Sequence, residues 1–292
     1  MKTVGMARAG GALTGVVAAM EEELAPLRAR LVGGRRVAVA GAVQIDVGSI
    51  GGTRVALVVT GDGAGNARRG LTAFLAAMSP QRIIVLGVAG GLATSLGAGA
   101  IVVGAHVVDE TDGRVHAGHG ALVELAASVG RARRGVAVTA SRIADSADEK
   151  RRLFALATAR VPAEGGPSKG DLTERAAVVD LESAVFASLA SDAGVPWVVL
   201  RAVSDTAAES VPALLNRSRD AGGAVRRDRV ARGLLTNPRA LMPLLALRGR
   251  VRACAEGLAR VVELVLEALR TDELASPVAV GQLRTSVTPK EV

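Results

Sequence analysis

Aromatic residues are nearly missing from this chain, which has no tyrosine, one tryptophan and three phenylalanines. Proteins that stack single-stranded bases need such rings, so that class of nucleic-acid binder is nearly excluded, and no nucleic-acid partner is expected. Cysteine is as scarce. The lone Cys254 can form neither an internal disulfide nor a cysteine-based zinc cluster. Three histidines, His106, His116 and His119, leave little for a histidine-rich metal site, and neither metal nor cofactor is expected. No stretch reaches the ~18 uninterrupted apolar residues of a membrane-spanning helix. The start is basic and its Thr14–Met20 run is apolar, but Glu21, Glu22 and Glu23 follow where a signal peptide would place its cleavage site. A cytoplasmic protein is expected.

Lysine is rare too. The chain has four lysines (Lys2, Lys150, Lys169, Lys290), so 32 of its 36 basic residues are arginine. Much of the net charge of +8 is therefore compositional. Its distribution still informs: residues 216–270 hold twelve Arg against five acids, a local excess of seven. Such a stretch reads first as a solvated helical surface, and second as a weak contact with an anionic membrane surface.

What is present is aliphatic. A 49% hydrophobic fraction over 292 residues rules out a disordered chain and suffices for a large core. The organisation expected is a flexible extension over 1–13, one α/β domain over 14–272 and a flexible tail over 273–292. Thr14–Met20 leads into a helix over Glu21–Leu31. Val37–Val43, Gln44–Ile50 and Arg54–Thr60 are short and β-branched, as in a meander. A Gly-rich turn at Gly61–Gly65 precedes a helix to about Met78. Strands follow at Arg82–Gly87, Ala100–Val108 and Val136–Ile143. A capped helix spans Ser146–Arg160 and a surface loop Val161–Thr173. Ala176–Leu181 runs into a helix near Ser183–Ala193, and Trp197–Val203 ends at Ser204 and Asp205. Helices fill Val225–Arg270, interrupted at Pro238 and Pro243. The continuous apolar strands predict a mixed sheet covered on both faces.

In open α/β sheets ligands sit at the carboxyl ends of strands. Four such ends carry polar groups: Glu21–Glu23, Gly61–Gly65, Asp180–Ser183, and Arg201 with Ser204 and Asp205. The glycine turn lacks the spacing of a dinucleotide site and has no Walker lysine. Glu23, Glu182 and Asp205 are more telling. A carboxylate past a central strand is costly unless paired or used, and all three would converge on one edge of the sheet. Taken singly, each is also an ordinary acid at a helix N-terminus.

These residues resemble a known family. Val17-Ala18-Ala19-Met20-Glu21-Glu22-Glu23-Leu24 is similar to the opening of the methylthioadenosine/S-adenosylhomocysteine nucleosidases, within the nucleoside phosphorylase superfamily. Thr60-Gly61-x-Gly63-x-x-Asn66-Ala67, Val88-Ala89-Gly90-Gly91-Leu92, Val178-Val179-Asp180-Leu181-Glu182-Ser183-Ala184 and the strand Val195–Asp205 resemble later motifs, in matching order. The likeness implies a single-domain, barrel-like mixed sheet flanked by helices, and cleavage of the N-glycosidic bond of a 5′-substituted adenosine. It implies that Asp205 gives a proton to purine N7, that Glu182 holds the ribose hydroxyls and that Glu23 orients water. Ser204 would hold Asp205, Leu181 would pack under the ribose, and Ala89, Gly90 and Ile143 would complete the substrate pocket. A homo-oligomer is implied as well. Val88 stands where the family has serine, Leu181 where methionine is usual, and Arg142 and Ile143 where a phenylalanine would stack on the base.

Two alternatives stay open. Ile143–Lys150 together with Val179–Ser183 is similar to the hopanoid-associated phosphorylases, which would make the protein a purine nucleoside phosphorylase for a lipid-linked nucleoside. The Gly-Asp-Pro-x-Arg phosphate loop is absent and Glu21–Glu23 would repel phosphate, which favours water; Arg68 and Arg69 keep phosphorolysis open. The other alternative is a nucleoside-binding module without catalysis.

Overall fold

The computed structural model describes residues 12–39, 43–130, 132–162, 175–220 and 222–275. Most of the expected extension, most of the expected tail and most of the Val161–Thr173 loop lie outside these; Leu13 is buried in the core and α8 runs on to Ala275. The strands are β1 (Thr14–Ala18), β2 (Val32–Ala38), β3 (Gln44–Ile50), β4 (Thr53–Val59), β5 (Arg82–Gly91), β6 (Ile101–Asp109), β7 (Val115–Ala117), β8 (Arg133–Thr139), β9 (Ala176–Asp180) and β10 (Trp197–Asp205). The helices are α1 (Glu21–Ala29), α2 (Ala64–Met78), α3 (Gly120–Val129), α4 (Ala147–Arg160), α5 (Ser183–Asp192), the single turn α6 (Leu214–Arg217), α7 (Arg227–Thr236) and α8 (Leu241–Ala275), with a 3-10 turn at Pro238–Ala240.

All ten strands form one sheet. Five of them, β10, β6, β8, β9 and β5, close into a ring because β5 pairs with both β9 and β10. β1, β4, β3 and β2 extend the sheet outward from β5, the last three as the expected antiparallel meander. The branch point creates a crevice. β5 runs parallel to β1 only as far as Val85, then turns so that Gly90 and Gly91 pair with β9. The carboxyl ends of β1 and β9 are thereby splayed, and the ends of β5 and β10 lie between them.

Both faces are covered, as continuous apolar strands require. One cluster packs Phe74 of α2 and Phe186 of α5 against the inward sheet residues. A second lies under α1, α3 and α8, and a third lies between α4 and strands β8 and β9. Cys254, Leu258, Val262, Val265, Leu266 and Leu269 recur at helical spacing on α8 and are all buried. Each of these leucine and valine side chains contributes roughly 1.5–3 kcal/mol on burial. Among the described residues no helix is long and apolar enough to cross a membrane.

Three elements depart from expectation. The first meander strand lies at Val32–Ala38 rather than Val37–Val43, because the Gly33–Arg36 stretch pairs as a mostly exposed edge with little apolar signal. The strand expected over Val136–Ile143 lies at Arg133–Thr139. Pro243 interrupts nothing: it sits in the first turn of α8, where a missing N–H removes no helical bond. β7 and α3 had no counterpart in the sequence reading.

Candidate active site

Each strand end delivers its side chain by a local device. β1 breaks at Met20, whose extended backbone starts α1, and Glu23 in the first turn folds back under it. Glu23 is buried; Oε2 accepts the Met20 N–H at 3.0 Å and Oε1 accepts the Val88 N–H at 2.9 Å. Val88, standing where the family has serine, thus serves through its backbone. β10 carries a bulge between Val203 and Asp205, which sets Asp205 opposite Gly90. Ser204 donates to Asp205 Oδ1 at 2.7 Å, and Lys150 of α4 donates to Oδ2 at 2.5 Å.

Glu182 sits at the N-cap of α5, with Oε1 accepting the Gly63 N–H at 2.9 Å. The glycine turn therefore does more than reverse the chain. Gly63 has φ +88°, and a Cβ there would lie 2.5 Å from the Gly222 carbonyl oxygen, so only glycine can present that N–H to Glu182. Beneath the carboxylates Arg201 is buried and pairs with Asp180, Nε to Oδ2 at 2.7 Å, while Nη2 donates to Ser183 Oγ at 2.8 Å. Gly87 gives it room: a Cβ at that position would meet Arg201 Nη1 at 2.0 Å and Glu23 Oε1 at 2.8 Å.

Burial sets the charge states. Desolvation raises the Glu23 carboxyl above its ordinary range, against the pull of Arg201 and the two backbone N–H groups. Glu182 is pushed up to about 8, first by desolvation and then by the charges of Asp180 and Asp62. Because folding takes up that proton, the site's contribution to stability is complete below pH ~4.5 and fades as pH rises through about 8.

One cleft is lined by all eight residues singled out from the sequence: Glu23, Ala89, Gly90, Ile143, Leu181, Glu182, Ser204 and Asp205. Among the described residues its lining contains five carboxylates (Asp62 and Asp180 are the others) and no Arg, Lys or His. Arg68 and Arg69 are exposed on α2 and do not line it. Val211, Leu215, Leu247 and Val251 give it an aliphatic wall.

The sequence pattern of the Phosphorylase superfamily matches residues 14–232. The chain belongs to that superfamily. Among superfamily members, the 5′-methylthioadenosine/S-adenosylhomocysteine nucleosidase of Geobacillus kaustophilus is 30% identical over 201 residues, covering 66% of this chain and 84% of that relative. The nucleosidase of that name from Geobacillus thermodenitrificans matches to the same extent. In fold, the chain is similar to the 5′-methylthioadenosine/S-adenosylhomocysteine nucleosidase of Neisseria meningitidis solved with methylthio-immucillin-A. The TM-score is 0.66 at 21% identity, with 88% of this chain and 99% of that one covered. Futalosine hydrolase of Helicobacter pylori gives 0.65 at 18% identity, with 88% and 98% covered. The barrel-like mixed sheet is that of the superfamily.

Sequence reasoning passed over three residues of this site. Asp62 lines the cleft and its Oδ2 accepts the Val225 N–H at 2.7 Å. Asn216 clamps Ile143 through both amide atoms: Oδ1 accepts its N–H at 3.0 Å and Nδ2 donates to its carbonyl at 2.8 Å. Lys150 is the third, and a signal existed. It shares the buried stripe of α4 with Leu153 and Ala157, three and seven residues on, where a solvated lysine does not belong.

Proposed function

We propose that this superfamily member hydrolyses the N-glycosidic bond of a 5′-substituted adenosine of the methylthioadenosine type, with water as nucleophile. The lining of the cleft carries the reading: among the described residues, five carboxyl groups and no cationic side chain suit a cationic sugar and oppose a phosphate. The names of the Geobacillus relatives support the same substrate class, and the aliphatic wall suits an apolar 5′ group.

The transition state of such a cleavage resembles an oxocarbenium ion losing an anionic base. Asp205 supplies the proton that neutralises the departing purine at N7. Glu182 binds the ribose hydroxyls, accepting through one oxygen and, while its raised affinity keeps a proton on it, donating through the other. Glu23, held by two backbone N–H groups, orients water toward C1′. Leu181 packs under the sugar, and the backbone at Ala89, Gly90 and Ile143 borders the base.

Glu182→Gln tests the ribose assignment. The variant should discriminate less between ribosyl and 2′-deoxyribosyl substrates, and its melting temperature should depend less on pH between 5 and 8. An unchanged substrate preference would reduce Glu182 to an acid at a helix N-terminus.

A second reading concerns the substrate's anchor. Among the described residues, four of the seven exposed large hydrophobic ones, Leu235, Leu241, Met242 and Leu245, fall within eleven positions. Exposed Arg227, Arg229, Arg232, Arg239 and Arg248 accompany them, and Leu247 and Val251 of the same helix line the cleft. That arrangement suits an anionic membrane surface, with a lipid-linked nucleoside as substrate. The protein should then sediment with phosphatidylglycerol vesicles at low salt and not with phosphatidylcholine vesicles. Equal behaviour with both would leave the segment a solvated surface.

A further inference from the structure

Behind Asp205 lies a charge that the reaction above does not use. Lys150 has no exposed surface, and a buried ammonium is costly unless every proton is bonded. Its three N–H groups meet three acceptors: Asp205 Oδ2 at 2.5 Å, the Thr206 carbonyl at 2.7 Å and the Glu209 carbonyl at 2.8 Å. A neutral amine would have two protons for three oxygens, so the site is built for the ammonium. The other carboxylate oxygen is equally provided for. An ionised Asp205 accepts the Ser204 hydroxyl proton at Oδ1. A protonated Asp205 can instead donate to Ser204 Oγ, which turns its own proton to the Ala89 carbonyl at 3.3 Å. Both charge states of Asp205 are served with no side chain displaced.

We propose that Lys150 is the positioning residue of the acid step: it fixes Asp205 through Oδ2, and its charge offsets the carboxylate created when the proton leaves. The proposal rests on the glycosidic-cleavage reading. In that step the Asp205 O–H bond breaks as the N7–H bond forms, and the electron pair of the C1′–N9 bond passes into the purine ring. Water adds to C1′ and gives its proton to Glu23. Negative charge thus appears on Asp205 within a hydrogen-bond length of a fixed ammonium, in a buried site where Coulomb attraction is strong. A merely structural Lys150, tying α4 to the turn after β10, would have no connection with leaving-group chemistry.

That connection is what the experiment reads. Lys150→Met, Asp205→Asn and the double variant are compared on methylthioadenosine and on its N7-methylated derivative, whose base departs neutral and needs no proton. Lys150→Met should lower kcat on methylthioadenosine by about tenfold or more while staying within about threefold of wild type on the methylated substrate. In the Asp205→Asn background the same substitution should cost almost nothing further, because its effect runs through Asp205. Equal losses on both substrates, or effects that multiply in the double variant, would overturn the proposal. Lys150→Gln, which keeps two N–H donors and loses the charge, repeats the comparison if Lys150→Met does not fold; the double variant leaves no unpaired charge. Wild-type protein that leaves methylthioadenosine intact would fail the cleavage reading itself, whereas normal cleavage without coupling would fail Lys150 alone.

Discussion

Asp205→Asn should keep its fold and lose turnover by ~10²–10⁴-fold, the usual worth of general acid help. The substitution is nearly isosteric. An amide oxygen can still accept from Lys150, and Ser204 keeps a partner on the other atom. What vanishes is the transferable proton, and with it the carboxylate that Lys150 faces once that proton has left. Release of free base at saturating nucleoside checks the rate, and a thermal melt checks the fold. Turnover within about twofold of wild type would remove Asp205 from the mechanism.

Glu23→Gln should be the second severe variant, through kcat rather than KM, as for a group needed mainly in the transition state. The glutamate accepts two backbone N–H bonds, from Met20 and Val88. A glutamine can accept only one of these and turns an N–H₂ toward the other, so the water it should orient loses its partner. The pH profile gives an independent reading. Burial raises the Glu23 carboxyl, so kcat/KM should climb with pH through a range above that of an ordinary glutamate, and the variant should lack that limb. Wild-type cleavage should proceed in phosphate-free buffer and release the free sugar. Bringing phosphate against Glu23 would cost several kcal/mol per close charge pair at an effective dielectric of ~20. Strict dependence on phosphate, with a sugar 1-phosphate as product, would move the protein to the phosphorolytic side.

Much of this site was legible before any coordinates because strand ends are legible. Apolar β-branched runs ending at Met20, Asp180 and Asp205 mark where a sheet stops, and a carboxylate just past such a run has few inexpensive places to go. Five motifs in order then tied those acids to one family. The meander and the helices after Gly61, Ser146 and Glu182 followed from turn and capping chemistry that is local to a few residues. The first meander strand escaped because Gly33–Arg36 carries no apolar alternation, and Pro243 misled because proline is neutral in a first turn and disruptive one turn later.

Pairing across distance was not legible. That β5 leaves β1 after Val85 to join β9, opening the crevice, depends on hydrogen bonds between residues some ninety positions apart. That the Gly63 N–H ends on Glu182, or that Gly87 must be bare to admit Arg201, depends on which strands become neighbours. The same holds for Lys150, whose position on an apolar stripe was visible while its partner, fifty-five residues on, was not. By itself the sequence determined the kinds of groups and the strand ends that hold them, since both follow from local propensity and the cost of burying charge. Only the tertiary structure decided which groups are hydrogen-bonded to one another and which carry raised affinities for a proton. Those properties come from distances of a few ångströms in a site removed from water, and closure of the sheet creates them.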